Sequence, residues 1–460
     1  MALATALDLG STRVKAASLG DDGKLVVVGT RPAPPLSGHG LIREADPQGY
    51  LDGATALLRL VAACAPGAPV GIASQRSSFV IWERATGNPV TPLVSWQDRR
   101  AEPWCAAQAG RARGLAAATG LVLSPHYAGP KLALMLAAEP ALARGMAAGE
   151  LLFGTLDTYL IWTWSGGRVH RVDLSMAART MLVPFGGADW GGDLLETFGV
   201  PRAALPAIGP SAAPIDLGNG IRLAATVADQ AAGMLALPAG PDTALVNLGT
   251  GGFVLLPVGA RKRAPTGFLA GPLTGVATDG GVCPGALALE GTINGIGPAL
   301  EALGEGPTEP ADADPAPDAF CLPDSTGVGA PHWRAAPPRR WSEAATMLPD
   351  DVRRRVFLEG VVFRVREIVE GMAPRRRPHT LVLAGGMAEE PFIGPALAAC
   401  TGLAVARLVE PEATLMGAAR LAAGLPAGGA ETAPVAARGG DYLADKYGRW
   451  RAWVRTVLAG

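Results

Sequence analysis

The sequence predicts an α/β protein in which short apolar strands alternate with helices and glycine turns, on a chain long enough for two large domains. Three observations carry that expectation. The chain has 460 residues, enough for two large domains or three small ones. Hydrophobic residues make up 49% of it and charged residues 18%, so it can bury substantial cores and is not disordered. Four glycine-bracketed segments lie in order along it: Ala6-Leu-Asp-Leu-Gly-Ser-Thr12, Val227-Ala-Asp-Gln-Ala-Ala-Gly233, Asn247-Leu-Gly-Thr-Gly-Gly-Phe253 and Leu381-Val-Leu-Ala-Gly-Gly386. Each reads as an apolar strand or helix that ends in a phosphate-reaching turn or carries a lone acid.

The elements follow in order. Leu3–Leu9 is apolar and ends at Gly10, and Val14–Leu19 comes next. The turn Asp21-Asp-Gly23 then leads into Leu25–Val28; Asp-Gly between apolar runs is a hairpin signal. A helix over Gln48–Cys64 feeds a buried strand, Val70–Ser74. This β-β-β-α-β order differs from the β-α-β opening of a dinucleotide-binding unit. Gly114–Thr119 and Pro130–Ala138 read as helices, Leu151–Gly154 as a strand, and Leu156–Trp164 as a helix stopped by Gly166-Gly167. The turn Ala239-Gly240-Pro241 precedes a second strand-rich start, Ala244–Leu248 and Phe253–Val258. That echo of the N-terminus places a boundary there, giving domains 1–240 and 241–460. Residues 304–323 are rich in proline and acid and read as a surface loop. Asp350-Asp351 opens a helix to Met372, its acids at the positive end of the helix dipole. Strand Thr380–Ala384, helices Pro391–Thr401 and Thr414–Ala423, a Gly/Ala/Pro-rich connector and a terminal helix Tyr447–Leu458 complete the reading.

Net charge is −1, and no basic stripe argues for nucleic acid or a membrane surface. Arginine outnumbers lysine throughout, so Arg353-Arg-Arg355 and Arg375-Arg-Arg377 read as solvated faces. Cys64, Cys105, Cys283, Cys321 and Cys400 lie far apart, with no zinc-ligand or CxxC spacing. Free thiols in a reducing cytosol are the simplest account, and a cytoplasmic location is the expectation. No apolar run reaches spanning length with membrane flanks.

Asp8 ends its strand just before Gly10-Ser11-Thr12. A turn of that kind lets backbone amides and hydroxyls reach a phosphate, and a strand-end aspartate suits a magnesium ion. Lys15 follows on the next strand and can neutralise phosphate charge. An ordinary β-turn with a solvated acid is the alternative. Asn247-Leu-Gly-Thr-Gly-Gly252 is a second phosphate turn without GxxxxGK[ST] spacing, so the chain is not a P-loop protein; Thr250 can donate its hydroxyl to a γ-phosphate. Asp229 stands in an otherwise small, apolar segment, where an unpaired carboxylate is costly to bury. It is either a helix N-cap or a general base on a substrate hydroxyl.

The four segments together resemble the nucleotide site of the actin-like ATPase superfamily. Further segments narrow the resemblance. Ser74-Gln-Arg76, Trp82-Glu-Arg-Ala-Thr-Gly87, Val94-Ser-Trp-Gln-Asp-Arg-Arg100, Leu156-Asp-Thr-Tyr-Leu-Ile-Trp162 and Ala177-Ala-Arg-Thr-Met-Leu182 resemble the FGGY carbohydrate kinases, closest to the glycerol kinase branch. So do Leu289-Glu-Gly291, Thr326-Gly-Val-Gly-Ala-Pro-His-Trp333, Leu358-Glu-Gly360 and Tyr447-Gly-Arg-Trp450. The resemblance implies two actin-like (ribonuclease H-like) domains, with mixed sheets flanked by helices and the active site in the cleft between them. It implies ATP and Mg²⁺ as cofactors and a small polyol or sugar as the partner, with no nucleic acid or membrane and with a homodimer as an allowed assembly. Arg76, Ser77, Trp96, His126, Asp229, Gln230 and Phe253 would form the acceptor pocket, with Asp229 as the base. Gly10, Ser11, Thr12, Lys15, Thr250, Gly251, Gly297, Gly386 and Glu390 would line the nucleotide side, and Asp8 would hold the metal. For single residues other roles stay open: Trp96 and Phe253 as core aromatics, Arg76 as an ion-pair partner.

Several positions depart from the glycerol kinase pattern. Gln75-Arg76-Ser77 stands where that pattern has Gln-Arg-Glu, and Pro125-His126 where it has Pro-Tyr. Gly385-Gly-Met-Ala-Glu-Glu390 has lost an amide expected near adenine, and residues 334–350 lack a Gly-rich strand. These departures lead to an expectation that glycerol is a poor substrate and that a longer polyol or a ketose is better, with Ser77 and His126 bonding the added hydroxyls. A xylulokinase-like ketose kinase is the alternative within the family. Outside it the alternatives are an actin-like ATPase module and a sugar-sensing pseudokinase.

Overall fold

The computed structural model describes the chain apart from residues 239, 241, 260–262, 305–307, 310–312, 336, 338–339, 373–376, 411, 439–441 and 460. Ala239 and Pro241 of the boundary turn, Arg375 and Arg376 of the arginine run, and part of loop 304–323 therefore lie outside the described residues.

Two mixed sheets organise the molecule. The first has six strands in the order Ala212–Asp216, Arg222–Ala228, Val70–Ser74, Ala2–Leu9, Arg13–Gly20, Leu25–Pro32. Its three central strands are parallel, and their register aligns Leu9, Ser74 and Ala228 in one row. The residues that follow these strands leave the same edge of the sheet: Gly10, Gln75-Arg76 and Asp229. Val70–Ser74 is buried at every position, as a parallel strand covered on both faces must be. That explains its unbroken apolar run.

The second sheet repeats the plan with seven strands. Their order is Leu269–Pro272, Leu287–Ile293, Gly252–Val258, Thr243–Leu248, Thr380–Ala384, Ala404–Leu408, Thr432–Val435. Thr243–Leu248 runs parallel to Thr380–Ala384, and Asn247 pairs with Ala384. The turn 249–251 and the Gly385 turn thus share one edge. Open α/β sheets bind ligands outside the carboxyl ends of their strands, and here both sheets present those ends to each other.

Helix Pro47–Cys64 covers one face of the first sheet. Its N-cap is Asp46, whose carboxylate accepts from the amides of Gln48 and Gly49, and proline opens the first turn. Helices Asp229–Leu235 and Ala413–Ala422 pack on that sheet as well. Ala413–Ala422 belongs by sequence to the second half, yet Leu415, Met416, Ala418 and Ala419 join the core of the first. It fits because it has almost no side chain where it crosses. A Cβ on Gly417 would stand 1.8 Å from the carbonyl oxygen of Ala232, and one on Gly71 would stand 2.2 Å from that of Ala418.

Most elements lie within a few residues of their expected places. Two differences have clear causes. Strand Thr432–Val435 arises inside the expected connector because it completes the sheet against Ala404–Leu408. The terminal helix begins at Tyr442, five residues early in chain order. Its first turns are anchored by Lys446, a buried ammonium paired with Asp314 at 2.9 Å and Glu359 at 2.7 Å. All five cysteines are free. Among the described residues no helix is long and apolar enough to cross a membrane.

Candidate active site

A cleft of about 230 Å³ opens between the facing strand ends. From the first half it receives Asp8, Gly10, Ser11, Gln75, Arg76, Trp96, His126, Asp229 and Gln230. From the second half it receives Asn247, Gly249, Thr250, Gly251, Phe253 and Thr414. Eleven of these fifteen are residues the sequence singled out.

The glycine turns are built as small hydrogen-bonded units. The Gly249 amide donates to the Gly251 carbonyl at 2.9 Å, and the Gly297 amide to the Thr250 carbonyl at 3.1 Å. Gly297 therefore buttresses the turn from behind, at the start of helix Ile296–Glu301. Gly385 has φ +86°, and a Cβ there would lie 2.4 Å from the Leu248 carbonyl oxygen. Only glycine combines that φ with so close an approach. Asn247 reaches across the cleft, its side-chain amide donating to Gln230 at 3.3 Å.

Asp229 opens helix Asp229–Leu235 as its first residue; the N-cap is Ala228, and the Asp229 carboxylate accepts from the adjacent Gln230 amide at 2.7 Å. The Nε of Arg76 lies 3.5 Å from its Oδ1. Burial raises the Asp229 pKa, and the neighbouring Arg76 opposes that rise. Arg76 is an ion-pair partner, but a buried one. Its two terminal nitrogens donate to Glu290 at 2.6 and 3.2 Å, and Arg179 donates to the same carboxylate at 2.7 Å. Glu290 is 2% exposed. Its burial would raise the pKa, but the two guanidiniums outweigh that and hold it down at about 2. The Arg76 guanidinium also faces Phe253, 5.7 Å from the ring centre.

Trp96 and His126 form the outer wall, their rings 5.5 Å apart. A hydrogen-bond relay sets the Trp96 loop: Tyr50 accepts from Gln75, Ser78 donates to Gln75, and the Trp96 amide donates to Ser78. Lys131, with no exposed surface, ties the two walls together by donating to the carbonyls of Ser95 at 2.7 Å and His126 at 3.1 Å. Burial pulls the Lys131 pKa down to about 7. Burial, with Lys131 and Arg76 nearby, lowers that of His126 to about 3, so its imidazole is neutral.

Asp8 pairs in register with Lys15 across the first hairpin. Burial pushes its pKa up to about 7, helped by the carboxylates of Asp229 and Glu412 and opposed by Lys15.

Six expected site residues stand outside the cleft lining. Ser77 is buried with φ +65°, and its hydroxyl donates to the Arg179 carbonyl at 3.1 Å. The tight turn at Ser77 follows Arg76, which lines the cleft, and leaves Ser77 outside the cleft lining. Lys15 pairs with Glu412 at 2.5 Å, so its charge is already matched within the protein. Glu390 pairs with Arg354 at 2.5 Å. Thr12 and Gly386 are exposed beside their turns, and Gly297 lies behind Thr250. Conversely, Gln75, Asn247, Gly249 and Thr414 in the lining, and Glu290, Arg179 and Glu412 around it, were not foreseen as site residues. Glu290 carries the clearest signal: an acid in the middle of the apolar strand Leu287–Ile293 must have a charged partner.

Two α/β halves that face each other through glycine turns, with a carboxylate at the cleft floor, define a phosphotransferase of the actin-like fold. The comparisons narrow it further. Residues 3–228 match the model "FGGY family of carbohydrate kinases, N-terminal domain", and residues 244–424 match the corresponding C-terminal domain. The chain is 35% identical over 397 residues to a protein named glycerol kinase from Bordetella parapertussis, covering 80% of this chain and 76% of that one. It is 35% identical over 379 residues to one of the same name from Thermus brockianus, covering 76% and 74%. Among solved structures it superposes on Plasmodium falciparum glycerol kinase with ADP at TM-score 0.82 and 18% identity, covering 99% and 98%. It superposes on ligand-bound xylulose kinase from Lactobacillus acidophilus at TM-score 0.84 and 19% identity, covering 99% and 98%. The chain belongs to the FGGY family of carbohydrate kinases.

Proposed function

We propose that the protein transfers a phosphoryl group from ATP to a hydroxyl of a small polyol or sugar, with Asp229 as the general base. One observation carries this reading: one cleft gathers Asp229, Arg76, Trp96 and Phe253 with the glycine turns Gly10-Ser11 and Gly249-Thr250-Gly251. Relatives named glycerol kinase and a superposable ADP-bound structure support the same assignment. We place the division between the two domains at residues 240 and 241, between the two sheets.

The acceptor lies against Trp96 and Phe253, whose faces suit the C–H side of a polyol. Asp229 takes the proton from the attacking hydroxyl, its carboxylate kept from full solvation by the cleft. The turn amides and the Thr250 hydroxyl stabilise charge on the transferred group, so catalysis is mainly positioning and electrostatics.

The donors fit a magnesium ion. Asp8 and Asp229 face one cleft and repel each other, and carboxylate oxygens suit a hard cation. Among the described residues no three His, Cys, Asp or Glu side chains form a complete metal cage. One carboxylate completed by substrate phosphates is the usual manner for Mg²⁺, and Asp8 would be that carboxylate. When bound, the ion neutralises phosphate charge.

Because Ser77 lies outside the cleft lining, the preference for an acceptor longer than glycerol rests on His126 alone, whose neutral ring offers one donor and one acceptor. An ADP-release assay across glycerol, tetritols, pentitols and ketoses tests it. A kcat/KM for glycerol above that of every four- to seven-carbon acceptor returns the protein to plain glycerol phosphorylation. Asp229→Asn tests the base: turnover should fall by about 10²–10⁴-fold with the fold and nucleotide binding kept. A variant with more than half of the wild-type kcat rules Asp229 out.

A further inference from the structure

Glu290 sits outside the cleft lining, yet it is a buried acid held by two arginines beside the cleft. It comes from the second half, on strand Leu287–Ile293, and both its partners come from the first. Arg76 follows strand Val70–Ser74, and Arg179 follows the short helix Leu174–Ala177. One carboxylate thus takes three charge-assisted bonds, from both terminal nitrogens of Arg76 and one of Arg179.

That geometry leaves Arg76 a single nitrogen, Nε, facing Asp229 at 3.5 Å. A guanidinium with free terminal nitrogens would bind a neighbouring carboxylate in the bidentate fork that arginine favours. An Asp229 held in such a fork would have its oxygens occupied when the acceptor hydroxyl arrives. We propose that Glu290 is a positioning residue: by engaging both terminal nitrogens of Arg76 it keeps that guanidinium beside Phe253 and leaves the Asp229 carboxylate open to the acceptor. The inference rests on the reading of Asp229 as base.

The charges around the pair agree with this role. Arg76 and Arg179 balance Glu290 and Asp229, while His126 is neutral and Tyr127 is buried alongside. Glu290 stays ionised, since both guanidiniums hold its carboxyl far down. A neutral glutamine of the same shape would accept fewer and weaker bonds and would release Arg76 toward Asp229. Ser77, where the resembling pattern places an acid, is turned onto the Arg179 carbonyl, and among the described residues Glu290 is the one carboxylate hydrogen-bonded to both arginines.

A double-mutant cycle separates positioning from simple support. Glu290→Gln should lower kcat/KM for the acceptor by about 10–100-fold, mostly in kcat, with KM for the nucleotide unchanged. In an Arg76→Ala background the same change should lower it less than twofold, because Glu290 acts through Arg76. A crystal structure of Glu290→Gln should show Arg76 turned onto Asp229 with two bonds. Additive effects in the cycle, or an Arg76 unmoved in the crystal, overturn the proposal. If Glu290→Gln does not fold, Glu290→Gln/Arg179→Met restores charge balance and is compared with Arg179→Met, with the same expectations. Failure of the underlying reading is separate: full activity in Asp229→Asn or in Arg76→Ala would refute the assigned site itself, whatever the cycle gives.

Discussion

Lys131 links the Trp96 and His126 segments of the cleft wall, and its replacement by methionine tests how that link is held. The ammonium has no exposed surface and donates to two carbonyls, those of Ser95 and His126. Burial lowers its pKa from 10.5 to about 7. The folded state therefore binds fewer protons than the unfolded state between about pH 7 and 10.5, and stability from this residue rises with pH across that window. The slope approaches about 1.4 kcal/mol per pH unit. Between pH 7 and 9 wild type should thus gain about 2–3 kcal/mol over Lys131→Met. At pH 7 the variant escapes the burial of an amine but leaves two carbonyls unbonded, at about 1–3 kcal/mol each, so the two proteins should be close in stability there. Urea unfolding of both at pH 7, 8 and 9 reads the difference directly, since groups common to both cancel. A difference that stays constant over that range, or shrinks with pH, refutes the argument. The variant should also show a raised KM for the acceptor, because the Trp96 and His126 walls are no longer tied.

Three further outcomes follow from the geometry. Asp8→Asn should stabilise the metal-free protein above pH 7, because raising an acid from 3.8 to about 7 means the folded state loses stability as pH rises through that interval. The ceiling is about 4 kcal/mol, and solvent at the cleft mouth reduces it to about 1–3; thermal unfolding at pH 5 and 8 should show a gain at least twice as large at the higher pH, with Mg-dependent turnover lost. Gly417→Val should destabilise by about 3 kcal/mol or more, since its Cβ would meet the Ala232 carbonyl at 1.8 Å; calorimetry decides, and an unchanged Tm would contradict the packing. Trp96→Ala should raise acceptor KM at least tenfold, for loss of an aromatic wall worth about 1.5–3 kcal/mol, with nucleotide KM unaltered in steady-state kinetics.

Much of the fold was legible because local signals were strong. The Asp-Gly turn after Leu19, the fully apolar run Val70–Ser74 and the acids opening the helix at Asp350 each specify their element without help from the rest of the chain. Strand Thr432–Val435 was not legible, since four residues with a proline form a strand only when an edge is waiting for them. The cleft was legible on the residues that end strands, because register alone brings Gly10, Arg76 and Asp229 to one edge. Direction was harder to read than position. Adjacent residues Arg76 and Ser77 diverge because Ser77 takes a left-handed backbone, and Lys15 meets Glu412 across 397 residues of chain. Glu290, too, has its meaning only when the other half folds against it.

The path of helix Ala413–Ala422 bears on how the chain can be divided. A cut between residues 240 and 241 would leave each fragment with its whole sheet, yet the first would lose the helix that covers Ala6, Gly71 and Val227. Its bare sheet face would be sticky, and the other fragment would carry an alanine-rich helix with nothing beneath it. Neither piece should persist alone, while the two produced together should reassemble. The halves are separate as sheets and inseparable as folding units, so the cleft is closed off at its base by a piece of chain that both halves share.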